Sequence, residues 1–399
     1  MAQAVSSCLL KRTCLLVLQF TESMSNSSIP VIDMSPLMTR CVEGQGEAAS
    51  ETQELVSVLS SAVASHGIFA IVGHGIPQDL MTTALEATKF ALEKGGPAET
   101  ECWAEHEAKA RIVGSDGGVP SFSAAGAENV GCFYGNANAP KELVAKFTVF
   151  PPHWDSNPTL LKANVWPITS AGQTLRRPLE QYFAKVQCAS DALHRGLSEC
   201  LGRPRTFIEE SLTPHTDGAL RAMRYQHKEE GSEEMAPAMA AHKDLNTTTL
   251  LCSDAPGLQF QPRGSEDWVD VIVPAGALIV NLGQFFEIWT GGAWRATPHR
   301  VIKAGQHGRT SLAFFSNTGI ARSSDGSTPK DRRIEPIGGL SSDSDADGET
   351  SAWSGIQTAV VGEARKSIAW PAFYFERVAD LASRQQANIE GVQAGRGGA

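Results

Sequence analysis

The chain has 399 residues, 42% of them hydrophobic and 20% charged, with a formal net charge of −10. That balance describes a soluble globular protein long enough for one large domain or two ordinary ones. Its acidic surface repels a phosphate backbone, which argues against nucleic-acid binding, and no apolar run reaches the ~20 residues of a membrane-spanning helix. The eight cysteines form no CxxC pair and no disulfide-rich spacing, which places the chain in a reduced compartment, the cytoplasm.

Residues 1–28 read as a leader. Met1 to Phe20 carries Lys11 and Arg12, no acidic residue and a short apolar run. Two readings stay open: a weak transit peptide for organelle import through residues 1–24, or a disordered leader ahead of Met24. The ordered pattern begins with a β-branched strand at 29–33. Helical spacing follows over 47–65, then a buried strand at 68–72 and a helix over 78–93, opened by Pro77 and stopped by Gly95-Gly96-Pro97. Residues 110–165, rich in Gly, Pro, Ala and Asn, read as loop. A long helix is expected over 175–201, with Pro178 in its first turn.

From Ala219 onward short strands alternate with turn signals, at 219–225, 247–252, 257–261, 268–273, 277–281, 298–303 and 309–315. Helices first and sheet second predict an α+β fold, mainly a β core flanked by helices. Residues 320–366 are polar and read as a surface insert. A last helix over 371–384 precedes a Gly-rich tail. The chain thus divides into the leader (1–28), an N-terminal region (29–150), a helical support (151–216), a catalytic core (217–320), the insert (321–366) and a C-terminal helix and tail (367–399).

The candidate chemistry centres on Ala241-His242-Lys243-Asp244. Residues two apart in a strand share a face, so His242 and Asp244 can aim at one point inside a barrel. His299, in Thr297-Pro298-His299-Arg300-Val301, supplies a second imidazole from a facing strand. Two imidazoles and a carboxylate on one face of an octahedron leave three positions free, the arrangement of non-haem iron(II) sites that bind O₂ and a chelating cosubstrate. A second HxD, His215-Thr216-Asp217, competes. It runs into Gly218-Ala219, as in a turn before a strand, whereas His242 precedes a Thr-rich apolar strand able to hold it rigidly. Downstream, Arg309 and Ser311 alternate on what is expected to be the neighbouring strand, where a guanidinium fork and a hydroxyl can grip a carboxylate. Asp343-Ser344-Asp345-Ala346-Asp347-Gly348 matches half of an EF-hand loop, but its twelfth position is Ser354, so it reads as a solvated acidic loop.

Several motifs follow one another in a telling order: Ile29-Pro30-Val31-Ile32-Asp33, then His66-Gly67-Ile68-Phe69-Ala70-Ile71-Val72-Gly73-His74-Gly75-Ile76, Gly257-Leu258-Gln259, Pro274 to Gly283, Ile288-Trp289-Thr290-Gly291-Gly292 and Thr297 to Val301. Together they resemble the 2-oxoglutarate/iron(II) dioxygenase superfamily, in its isopenicillin-N-synthase-like branch, from about Ile29 to Phe315 and again in the C-terminal helix. The resemblance implies a distorted double-stranded β-helix, or jelly roll. It implies iron(II) held by His242, Asp244 and His299, and 2-oxoglutarate held at its distal carboxylate by Arg309 and Ser311, with Tyr225 beside the cosubstrate. His74 falls where the family has a structural histidine. The implied reaction oxidises a small-molecule substrate with O₂, chiefly by hydroxylation, releases succinate and CO₂, and is stimulated by ascorbate; the implied enzyme is a monomer that binds neither nucleic acid nor membrane. Departures are Gln226 where a Pro follows the Tyr, Gln284 where Gly-Asp is usual, the charged stretch between Tyr225 and His242, and the polar insert. Two alternatives stay open: an isopenicillin-N-synthase-like iron(II) oxidase that does not use 2-oxoglutarate, and a non-catalytic small-molecule-binding module on the same fold.

Overall fold

The structure is a computed structural model that describes residues 28–43, 50–93, 122–123, 142, 144–151, 164, 166, 170–212, 216–226, 238–302, 307–318, 333–334, 337 and 368–369. In chain order the elements are β1 (Val31–Asp33), α1 (Ser35–Glu43), α2 (Ser50–Ser65), β2 (Ile68–Val72), α3 (Gln78–Leu92), β3 (Phe122–Ser123), β4 (Val144–Val149), α4 (Ser170–Cys200), α5 (Phe207–Leu212), β5 (Thr216–Tyr225), β6 (Met239–His242), β7 (Thr248–Ser253), β8 (Leu258–Phe260), β9 (Val269–Asp270), β10 (Leu278–Leu282), α6 (Gln284–Trp289), β11 (His299–Val301), β12 (Arg309–Thr318), β13 (Arg333–Ile334) and β14 (Ile368–Ala369).

Two sheets make the β core. The larger runs β1-β2-β10-β7-β12-β5-β4-β3 and the smaller β6-β11-β8-β9. The larger is buried on both faces, so its strands read as continuous apolar runs whose alternate residues serve different cores. In β7, Leu250 and Cys252 join the helices, while Leu251 faces the smaller sheet. In β10, Leu278, Val280 and Leu282 pack outward and Ile279 inward. The outer core is completed by the stripe of Leu175, Leu179, Tyr182, Val186, Leu193 and Leu197 on α4. The inner core joins Met223 and Ala313 of the larger sheet to Met239, Leu258 and Val301 of the smaller. The result is a jelly roll with its helices laid on the outer face of the larger sheet.

The strand expectations from Ala219 onward hold with shifts of up to three residues at the ends. Five expectations change. Residues 144–149, expected as loop, form the fully buried β4, paired with β5; Lys146 in its middle disguises the run. α4 begins at Ser170, so Pro178 lies inside the helix rather than in its first turn, at the cost of one backbone hydrogen bond. β6 ends at His242, and Asp244 lies in the turn beyond it. β11 and β6 are adjacent strands of one sheet rather than facing strands, and β12 lies in the other sheet between β5 and β7 rather than beside β11. The helices α1, α5 and α6 have no counterpart in the sequence reading. The expected helix over 371–384, the EF-hand-like segment, His215 and most of the insert lie outside the described residues.

α4 is bound to the sheet by polar as well as apolar contacts. His194, fully buried, places Nε2 3.2 Å from Thr248 Oγ1, and Ser190 hydrogen-bonds Ser316 through their hydroxyls. Burial alone pushes the His194 imidazole down to about 4. The folded chain therefore holds this ring neutral where an unfolded chain, with its ordinary value near 6.5, would take up a proton. The contribution is fully present above pH 6.5 and is lost as pH falls from 6.5 towards 4, at roughly 1.4 kcal/mol per pH unit. Urea unfolding midpoints measured between pH 7 and 4.5 are expected to fall more steeply for the wild type than for His194→Gln. Equal slopes would show that the folded ring is protonated.

Candidate metal centre

His242, Asp244 and His299 come together at one end of the barrel, with one ligand atom from each lying within 4.8 Å of the others. Antiparallel pairing of β11 with β6 puts His299 directly opposite His242, and the ring centres are 4.3 Å apart. Each imidazole is turned by its own backbone. His242 Nδ1 lies 2.8 Å from the Ala240 carbonyl and His299 Nδ1 lies 3.0 Å from the Thr297 carbonyl. A carbonyl can only accept, so both Nδ1 atoms carry the proton and both Nε2 lone pairs face inward. The Asp244 carboxylate lies between them, Oδ1 3.8 Å from His242 Nε2 and Oδ2 3.7 Å from His299 Nε2. These separations are too long for hydrogen bonds. Three inward donors that do not satisfy one another suit a cation in their midst. Burial pushes the His242 imidazole down to about 4, helped by neighbouring His299 and opposed by Asp244; a neutral ring is the form that ligates a metal.

The carboxylate is held from behind. Thr249 donates its hydroxyl to Asp244 Oδ2 at 2.7 Å, and the Gln284 N–H donates to the Asp244 carbonyl at 2.7 Å. The second bond brings the start of α6 against the ligand turn. Gly283 makes the approach possible: a Cβ there would fall 1.8 Å from the Asn246 carbonyl oxygen. Its φ of −92° is open to any residue, so the requirement is for space rather than backbone freedom. Gln284, the departure from the usual Gly-Asp, does its work here through its backbone.

The other candidate residues line the inner wall. Arg309 is 1% exposed. Its Nε donates to the Ala255 carbonyl at 3.2 Å, but Nη1 and Nη2 have no hydrogen-bond partner among the described residues. Its guanidinium lies over the Tyr225 ring, 5.1 Å from the centre. The Ser311 hydroxyl makes no hydrogen bond of ordinary geometry among the described residues, although it lies near enough to the Tyr225 hydroxyl to favour its ionised form; burial outweighs this and raises Tyr225 above its usual value. A buried guanidinium with two unpaired nitrogens is costly unless an anion fills the gap. This pair therefore fits a carboxylate-bearing molecule reaching from the wall towards the triad.

Asp217 lies on β5, opposite Asn317 of β12. His74 stands apart from the triad, its Nε2 2.8 Å from the Gly276 carbonyl and its Nδ1 accepting the Ile76 N–H, the structural place expected of it. The sequence reading missed Thr249, which no motif singles out, and a buried ion pair. Lys146 Nζ lies 3.4 Å from Glu142 Oε2, each side chain 1% exposed, and Glu142 Oε1 accepts the Ala240 N–H. A lone lysine in the apolar alternation of Val144 to Val149 was the available signal.

Two family models match the chain: the 2OG-Fe(II) oxygenase superfamily over residues 204–318, and the non-haem dioxygenase in morphine synthesis N-terminal family over residues 29–94. The chain is 26% identical to a homoarginine-6-hydroxylase of Arabidopsis thaliana over 296 residues, 73% of this chain and 78% of that protein. It is 24% identical to the 2-oxoglutarate-dependent dioxygenase tropC of Talaromyces stipitatus over 310 residues, 74% and 88% of the two chains. The fold matches that of the dioxygenase for auxin oxidation 1 of Arabidopsis thaliana, solved with 2-oxoglutarate, with a TM-score of 0.51 at 17% identity, over 73% of this chain and 92% of that one.

Thr249→Val keeps the shape of the side chain and removes the bond to Asp244. Loss of such a supporting bond lowers metal affinity about 10–100-fold, and titration of the purified apoprotein with iron(II) under anaerobic conditions measures it. Unchanged affinity would show that the carboxylate is held without Thr249.

Proposed function

Because the chain belongs to the 2-oxoglutarate/iron(II) oxygenase superfamily, we propose that His242, Asp244 and His299 hold iron(II), that Arg309 and Ser311 receive the distal carboxylate of 2-oxoglutarate, and that the enzyme hydroxylates a small-molecule substrate. The observation that carries this reading is the buried guanidinium of Arg309, two of whose nitrogens have no partner among the described residues, inside the same barrel as three inward-facing candidate metal donors. Bound iron(II) supplies the redox chemistry by which O₂ and 2-oxoglutarate oxidise a C–H bond, with release of succinate and CO₂.

The chain's own residues bind, orient and exclude water. The two Nδ1–H···O=C bonds keep both Nε2 lone pairs on the metal side, and Asp244 supplies one negative charge to a dication. Arg309 offers a planar two-pronged donor that a carboxylate matches, and the Tyr225 ring covers the guanidinium so that the fork keeps one orientation. The inner wall between the two anchors is apolar: Leu251 and Ala313 lie side by side there. Such a wall keeps water from the reacting atoms and strengthens each charge interaction within. The names of the relatives, hydroxylases and 2-oxoglutarate-dependent dioxygenases, support hydroxylation as the outcome. The net charge of −10 supports the further reading that nucleic acid is not a partner.

The test is succinate release by purified enzyme with iron(II), ascorbate and 2-oxoglutarate, run over a panel of candidate small molecules. Release is expected for the wild type and is abolished in His242→Ala. In Arg309→Ala the concentration of 2-oxoglutarate needed for half-maximal rate rises at least about tenfold, the loss of a charge-assisted bidentate contact. Oxygen consumption that proceeds equally without 2-oxoglutarate would overturn the reading in favour of an oxidase.

A further inference from the structure

Among the described residues, the inner wall carries a further polar side chain with an unpaired atom. Asn281 lies on β10, shares its inward face with Ile279 by strand alternation, and is 1% exposed. Its side-chain oxygen has no hydrogen-bond partner among the described residues. It pairs directly with Thr249 across the β10–β7 ladder and with Ile68 on the other side. Directly paired side chains lie on the same face about 5 Å apart, so the amide stands beside the very hydroxyl that donates to Asp244.

The rungs of the larger sheet give its place relative to Arg309. Along β12 the inward residues run Arg309, Ser311, Ala313 and Phe315, and their partners on β7 include Ser253, Leu251 and Thr249 in that order. Asn281 therefore belongs to the rung of Phe315 and Thr249, at the metal end, while Arg309 marks the other end. Of the two rungs between, the one next to Asn281, with Ala313 and Leu251, offers no polar side chain. Thr249 is already engaged with Asp244. A molecule anchored at Arg309 and reaching the triad meets in Asn281 an amide whose oxygen has no partner among the described residues. A buried amide left unpaired costs free energy that a fold keeps only where something later offsets it.

We propose that Asn281 is a cosubstrate contact: its side-chain amide donates to the oxo-acid end of 2-oxoglutarate beside the metal, completing at that end what Arg309 begins at the other. The proposal rests on the reading that iron(II) and 2-oxoglutarate bind in this barrel. The side chain needs only to turn its amide over to present Nδ2 rather than Oδ1, a change that leaves its shape the same.

The experiment is anaerobic calorimetry of 2-oxoglutarate binding to the iron(II)-loaded wild type, Asn281→Leu and Asn281→Asp, together with thermal unfolding of each apoprotein. Asn281→Leu replaces the unpaired amide by an apolar group of similar size, so the apoprotein melts at the same or a higher temperature, while 2-oxoglutarate binds about tenfold or more weaker. Asn281→Asp sets a like charge against the ligand and weakens binding further. Iron(II) affinity stays within a few-fold in Asn281→Leu. Wild-type affinity for 2-oxoglutarate in both variants would overturn the proposal while leaving the iron and cosubstrate reading intact. A wild type that binds iron(II) but no 2-oxoglutarate would overturn both. A large fall in the melting temperature of apo Asn281→Leu would show that the amide is paired in the fold, and would overturn the proposal as well.

Discussion

The pairing of β11 with β6 is the constraint on which the site depends. Only in the register that sets His299 against His242 do two imidazoles from distant parts of the chain point at the same carboxylate. A slip by one residue would turn the histidine to the other face. Several close contacts guard the neighbourhood. The Thr297 hydroxyl bonds the His66 carbonyl at 2.6 Å, and a Cβ on Gly67 would fall 2.2 Å from the Arg295 carbonyl oxygen. The N-terminal motif at His66-Gly67 thus seats the strand that carries His299. The start of α6 does the same for the turn that carries Asp244.

The interior is sorted by polarity along its length. The His242–Asp244–His299 triad lies at one end and the Arg309–Tyr225 pair at the other, with the apolar Ala313 and Leu251 between. Unpaired buried polar atoms are few in native proteins, yet among the described residues Arg309, Ser311 and Asn281 all have them on this one inward face. They are intelligible together as the imprint of a small polar molecule, and much harder to explain one at a time as features of folding. The Lys146–Glu142 pair differs, because its charges satisfy one another and tie β4 to the Ala240 backbone that orients His242.

Much of this was legible in the sequence. The strands from Thr248 to Thr318 announce themselves because those of the larger sheet, such as β7 and β10, are buried on both faces and Pro or Gly punctuates the turns. The triad and Arg309 stand inside motifs whose order is itself informative. β4 was not legible, because a buried lysine breaks its apolar alternation and its partner Glu142 lies four residues away. The seating of Asp244 in a turn was not legible either, since the two-residue spacing from His242 is the same in a turn as in a strand. Thr249 and Asn281 lie in readable strands, but their importance comes from register across the sheet, which no local pattern encodes.

The central claim is that one iron(II) is held by donors from β6, the following turn and β11 together. Direct metal analysis of anaerobically reconstituted protein tests it, comparing the wild type with His242→Ala and His299→Ala. The account predicts one iron per chain in the wild type and loss of tight binding in each single variant, with the fold retained. Full iron occupancy in both variants would place the metal elsewhere and contradict it.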